Sequence, residues 1–158
     1  FRAFTKKMAS ENEIPDKFLG KFKLEKNEKF DEYLASKGVS WILRKMICFT
    51  TVTKIFEKSE AEKSKYNAYN QSSKHNTNWE GWKIGETFEG IGLDGKQHKI
   101  TFDLSDNGDT LTEKHLRMDN PSDVGEVYRY SVDTDSGHLI LTLSNESLTA
   151  RRFFKRIQ

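Results

Sequence analysis

The pattern of apolar and polar positions changes period near the start of the chain, and the rest is placed by that change. Phe18, Phe22 and Leu24 alternate loosely with Gly20, Lys21 and Lys23, which predicts a strand. Phe30, Tyr33 and Leu34 then fall on one face of a short helix, with Asn27 as its expected cap and Gly38 as its stop. A second short helix carries Trp41, Ile42, Leu43 and Met46. After it, period two returns. Strands are predicted over 51–56, 66–71, 79–84, 87–89, 99–104, 110–118, 127–132, 139–143 and 148–155. Asp94-Gly95, Asn107-Gly108 and Ser136-Gly137 are hairpin turns by composition, and the DNPSD and SNES stretches turn the chain as well.

About ten strands joined by hairpin-type turns make an antiparallel meander. Each has one apolar face to hide, and two short helices cannot cover them all. The sheet must therefore close on itself or fold against itself. About eight strands closed into a barrel leave room for one small ligand, so about ten enclose a larger cavity.

Composition supports a thin wall rather than a solid core. Only 35% of residues are hydrophobic and 32% are charged, yet eleven Phe, five Tyr and three Trp argue against disorder. The net charge of +2 is too small to imply a nucleic-acid partner by itself. Cys48 is the single cysteine, which excludes an intrachain disulfide and a cysteine zinc site, and it reads as a buried, inert thiol. His75, His98, His115 and His138 show no i, i+4 metal-ligand spacing. No nucleophile elbow, phosphate loop or dinucleotide fingerprint is present. The acid pairs Asp31/Glu32 and Glu60/Glu62 read as solvated surface. No enzyme, cofactor or metal is expected.

Gly20, Phe22 and Leu24, followed by Phe30, Asp31, Tyr33 and Leu34, resemble the opening fingerprint of the fatty-acid-binding protein family of lipid carriers. Lys29 departs from it, standing where the family usually has Asn, His or Gly. The resemblance runs from about residue 18 to the C-terminus. It implies an all-β fold, a ten-stranded antiparallel up-and-down β-barrel capped by a helix-turn-helix lid over an internal ligand cavity. Residues 1–17 are then a flexible N-terminal arm and 18–158 the lipid-binding domain. The implied function is non-catalytic binding and transport of long-chain fatty acids by a monomer. Carriage of retinoids or another hydrophobic acid is the alternative, and a nucleic-acid-binding barrel is a reading of a different class.

The C-terminal hairpin LILTLSNESLTARRFFKR carries the chemistry. If Leu148 and Ala150 face inward, alternation puts Arg152 and Phe154 inside and Arg151 and Phe153 outside. The other phase puts Thr149, Arg151 and Phe153 inside. The first phase also matches the family's Arg-x-Tyr, in which the arginine binds the ligand carboxylate. That role carries over to Arg152, whereas Phe154 lacks the tyrosine hydroxyl and remains a wall residue with Leu141, Leu143 and Tyr128. The family often has a second inward arginine, and the matching segment here is EVYRYSV. Either Tyr130 or Arg129 then completes the carboxylate site, according to which face points in.

Trp41, Ile42 and Met46 form the portal side of the lid, and Trp41, Ile42 and Leu43 read first as packing onto the barrel. Lys37, Arg44 and Lys45 give the helix pair a basic, amphipathic character that suits transient contact with anionic membranes. VTKIF, QHKITFDL, TLTEKH and DNPSDV look like the nematode secreted branch of the family. That resemblance implies an extracellular carrier, with a cytoplasmic one as the alternative. Phe1 is not an initiator; Met8 before Ala9 and Ser10 is one candidate start, and a cleaved secretory precursor is the other account. Asn70-Gln-Ser and Asn145-Glu-Ser are glycosylation acceptors by pattern.

Overall fold

Alternate burial along each strand is what closes the wall, because every second side chain needs a dry neighbour and only the opposite wall supplies one. The computed structural model describes residues 13–158. Its strands are β1 (Gly20–Glu28), β2 (Val52–Lys58), β3 (Tyr66–Ser72), β4 (Thr77–Trp82), β5 (Phe88–Ile91), β6 (Gln97–Ser105), β7 (Thr110–Arg117), β8 (Glu126–Val132), β9 (Leu139–Ser144) and β10 (Thr149–Arg156). They form one antiparallel sheet in the order β4-β3-β2-β1-β10-β9-β8-β7-β6-β5. Two helices, α1 (Phe30–Ser36) and α2 (Trp41–Phe49), connect β1 to β2. The ten-stranded barrel with a helical lid is therefore the observed architecture.

The barrel is nearly closed. Among the described residues no ladder joins β4 to β5, the two ends of the sheet order. Side chains hold that seam. The Trp79 indole Nε1 on β4 donates to the Ile91 carbonyl on β5 at 3.0 Å. A Cβ on Gly90 would meet Trp79 Cδ1 at 2.9 Å, so β5 needs glycine there for the indole to reach across. Inside the seam, Phe102 is fully buried, stacks on Trp82 at 4.1 Å and meets Phe56 edge-on at 6.0 Å.

At the opposite end the C-terminus seals the wall. Arg156 donates to the carbonyls of Leu19 (2.7 Å) and Lys17 (2.6 Å) and stacks on Phe22 at 4.4 Å. A Cβ on Gly20 would lie 2.6 Å from the Gln158 carbonyl, which is the physical reason for the glycine that opens β1. The 1–17 arm is corrected in part. Residues 1–12 lie outside the described residues, but Ile14 is only 2% exposed and its amide donates to the Tyr66 hydroxyl at 3.0 Å. Residues 13–17 thus belong to the barrel.

Asn27 is not the helix cap. It lies inside β1, and Lys29, in the left-handed region at φ 55°, precedes α1 with no capping side chain. The cause is a bulge between Leu24 and Lys26. One extra residue reverses the inward phase, so Asn27 rather than Lys26 comes opposite Arg152 of β10. Gly38 does end α1, and Ser40 caps α2 by accepting from the Leu43 amide.

Candidate functional site

A row of directly paired positions runs around the inner wall, from Leu111 on β7 to Tyr130 on β8, Leu141 on β9, Arg152 on β10 and Asn27 on β1. Adjacent strands stand about 4.8 Å apart, so Tyr130 and Arg152 are roughly 10 Å from each other along this row. Arg152 is buried. Its Nε donates to Asn27 Oδ1 at 2.9 Å, and its guanidinium lies 4.1 Å from the Phe30 ring at the start of α1 and 5.9 Å from the Phe154 ring. Its Nη2 has no protein partner. Burial lowers Arg152 to about 10, so it stays cationic at neutral pH.

Of the residues singled out from the sequence, Arg152 and Phe154 face inward as the first phase required, with Arg151 exposed. Tyr130, Leu141 and Leu143 are buried, and Tyr128 is half-buried on the Tyr130 face. Arg129 is exposed on the outer face, so the two-arginine arrangement does not form. The reason is phase: Tyr130 pairs with the buried Leu111 and Leu141, which turns Arg129 outward.

Sequence reading missed three further buried groups. Lys54 on β2 is 5% exposed and pairs directly with Asn70 on β3, which pairs with Thr77 on β4. Lys54 Nζ donates to Asn70 Oδ1 at 2.7 Å, and Asn70 Nδ2 donates to Thr77 Oγ1 at 2.8 Å. The glycosylation pattern at Asn70 is overturned by this burial, whereas Asn145 is exposed. Lys54 shares the phase of Val52 and Phe56, both buried, and that was the available signal. Burial pushes the Lys54 ammonium down to about 8, with Glu113 pulling it up and Arg152 pushing it further down.

The second group is Glu113, and the third is the His98 and His115 pair. His115 Nε2 meets Glu113 Oε2 at 2.6 Å, and the Tyr130 hydroxyl donates to Glu113 Oε1 at 2.9 Å. His98 Nδ1 and His115 Nδ1 are 3.0 Å apart, and His98 Nε2 lies 2.9 Å from Asp94 Oδ1. A hydrogen-bonded chain thus crosses the wall from Asp94 at the surface to Tyr130 inside. Burial favours the neutral form of Glu113, but the hydrogen bond and charge of His115, the charge of Lys54 and the Tyr130 hydroxyl outweigh it and hold the carboxyl below its ordinary value. A carboxyl depressed by folding stabilises the fold above its unfolded value of about 4.3 and loses that contribution as the pH falls below it. Glu113→Gln should therefore cost about 1–3 kcal/mol at pH 7. The difference from wild type should shrink in urea denaturation at pH 3.5.

Both helices are fastened to each other and to the wall on one side. Arg44 on α2 binds Asp31 on α1 at 3.0 Å, Asn145 donates to Ser36 at 2.7 Å, and Lys37 pairs with Glu126. No residue of α2 is buried. Trp41 (62%), Ile42 (68%), Leu43, Met46 and Phe49 (85%) are exposed, so the packing of Trp41, Ile42 and Leu43 onto the barrel is overturned. Only Ile47 and Cys48 on α2 turn partly inward.

No family model matches the chain. Curated relatives do. It is 45% identical over 145 residues to fatty acid-binding protein homolog 4 of Caenorhabditis elegans, covering 92% of this chain and 97% of that one. It is 44% identical over 144 residues to the fatty acid-binding protein homolog of Ascaris suum, covering 90% and 86%. The chain belongs to the fatty-acid-binding protein family. Among solved structures, As-p18, an extracellular fatty acid binding protein, superposes with a TM-score of 0.86 at 42% identity, over 90% of this chain and 98% of that one. The Schistosoma mansoni fatty acid binding protein in complex with arachidonic acid superposes with a TM-score of 0.74 at 27% identity, over 92% and 100%. Inside this barrel lie the inward Arg152–Tyr130 row and the Lys54 ladder.

Proposed function

We propose that the protein binds long-chain fatty acids inside the barrel, carboxylate toward Arg152 and tail along the aromatic wall. One observation carries this reading: Arg152 and Lys54 are buried cations, and among the described residues neither has a carboxylate within 4.0 Å. An unmatched buried cation is costly unless an anion or ordered water meets it. Arg152 offers its unpartnered Nη2 to a planar two-oxygen group, which a carboxylate matches. The relatives' names and the arachidonic acid complex of a structural neighbour support the same class of ligand.

The tail supplies most of the affinity. Burying a methylene contributes about 0.8 kcal/mol, so a sixteen-carbon chain gains roughly 12 kcal/mol before ordering costs. The head group sets orientation and the preference for acids. Native mass spectrometry of the purified protein, with extraction of what co-purifies, should show a fatty acid. A protein that carries none, and from which oleate displaces no fluorescent fatty acid, would end this reading. The basic C-terminal strand does not suit a nucleic acid, because Arg152 is interior and Arg156 is tied to Leu19 and Lys17.

The same reading extends to delivery and location. The exposed face of Trp41, Ile42, Met46 and Phe49 beside Lys37, Arg44 and Lys45 touches anionic membranes while cargo is handed over. Transfer of a fluorescent fatty acid should be faster to anionic than to neutral vesicles; equal rates would remove the contact. Likeness to As-p18, described as extracellular, supports secretion. Mass spectrometry of the native N-terminus tests it.

A further inference from the structure

We propose that Lys54 is a second cationic contact for the acid end of the cargo, so that an anion is held between its ammonium and the Arg152 guanidinium beside the Phe154 ring. The inference rests on the carrier reading and adds to it a residue outside the C-terminal strand. Both cations approach one ring: Lys54 Nζ is 5.7 Å from the centroid of Phe154 and Arg152 Cζ is 5.9 Å from it. Lys54 Nζ also lies 5.5 Å from the ring of Tyr130, the other inward polar residue of the row. The ammonium, Arg152 and Tyr130 thus converge on one region of the interior.

Hydrogen bonding leaves Lys54 available. It donates to Asn70 Oδ1, which uses one of its three N–H donors. Asn70 is itself held by Thr77, so the ladder fixes the ammonium without neutralising it. Glu113 is the interior carboxylate nearest in influence, but its two oxygens already receive His115 and Tyr130. Lys54 and Arg152 bring two positive charges to the interior, and Glu113, already engaged by His115 and Tyr130, does not match both. An anion such as a fatty carboxylate offsets this excess, and a neutral lipid does not.

The charge state of Lys54 gives the contact a signature. Burial holds its ammonium down at about 8. A bound anion raises that value, so affinity for the acid is full below about 8 and falls as the pH climbs through it. The other groups facing Lys54 hold their state over this window: Glu113 lies below its ordinary value, Arg152 titrates at about 10 and Tyr130 lies well above 10. Cys48, near Arg152, is pushed up from 9.0. A variant lacking only the ammonium separates its contribution from that of the thiol.

The test is displacement of a fluorescent fatty acid by oleate and by oleyl alcohol from pH 6.5 to 9.5, with wild type and Lys54→Met. Methionine matches the length of the lysine stem and removes the ammonium. Oleate affinity should fall about tenfold at pH 7 in Lys54→Met. Oleyl alcohol should bind both proteins alike. Wild-type affinity for oleate should decline above pH 8, and the variant's profile should stay flat through that range. Thermal unfolding of the empty variant should occur at or above the wild-type temperature, because removing an unmatched buried charge relieves strain that only the ligand otherwise relieves. If Lys54→Met does not fold, the wild-type pH profile decides alone. Oleate binding with an unchanged constant and the same pH profile in both proteins would overturn the contact while leaving the carrier intact. Failure of wild type to bind oleate at any pH would instead overturn the carrier reading itself.

Discussion

Arg152→Ala is expected to weaken oleate binding by about tenfold to a hundredfold while leaving oleyl alcohol nearly unaffected. A charge-assisted hydrogen bond nets about 1.5–3 kcal/mol, which is the source of that range. The tail contacts are untouched, so binding should weaken rather than vanish. Selectivity is the sharper readout: wild type should prefer the acid, and the variant should lose most of that preference. A variant that still discriminates would place the head-group contact elsewhere. The guanidinium also packs 4.1 Å from Phe30 at the start of α1, a contact whose loss would act on acid and alcohol alike and is expected to be small. Measuring the alcohol in parallel separates that lid contribution, which both ligands share.

Phe102→Ala should have the largest effect on stability. Phe102 is fully buried and its ring stacks on Trp82 at 4.1 Å and on Phe88 at 6.3 Å. It also meets Trp79 at 6.2 Å, the residue that holds the seam. Losing the ring removes its transfer free energy and leaves a cavity the stiff indoles cannot fill, for about 3–5 kcal/mol. Urea denaturation should show a lower midpoint at unchanged slope. A loss under 1 kcal/mol would mean that the aromatic cluster collapses around the gap.

Much of the wall was legible because period two survives in nearly every strand. Ile100 and Phe102 on β6 and Leu141 and Leu143 on β9 announce their inward face, and glycine-bearing turns separate them. Arg152 was legible for the same reason: Ala150 and Phe154 bracket it on the same face. What escaped was charge riding on an apolar phase. Lys54 follows Val52, Glu113 follows Leu111, and His98 precedes Ile100, each two residues from a buried neighbour. Alternation placed them inside, but their residue types argued for solvent, and only the partners found on the same and neighbouring strands resolve the conflict.

Asn27 escaped for a geometric reason, since a single inserted residue in β1 shifts phase without a mark in composition. The Tyr130 and Arg129 alternatives were balanced in sequence because EVYRYSV lacks an apolar anchor of either phase strong enough to decide. The neighbouring strands decide it. Trp41, Ile42 and Leu43 misled in the opposite direction. Their apolar character suggested burial, yet α1 packs over Arg152 through Phe30, and α2 turns only Ile47 and Cys48 inward, leaving most of its oily side outward.

The wall is a ribbon whose two raw borders, β4 and β5, face each other instead of meeting other molecules. Each border carries unmated amides and carbonyls, the template on which strands from separate chains stack into fibrils. Trp79 acts as the clasp that keeps both templates turned toward one another. Loosening it would uncover two adhesive margins at once, so damage at this indole threatens the solubility of the whole population as well as the shape of one molecule.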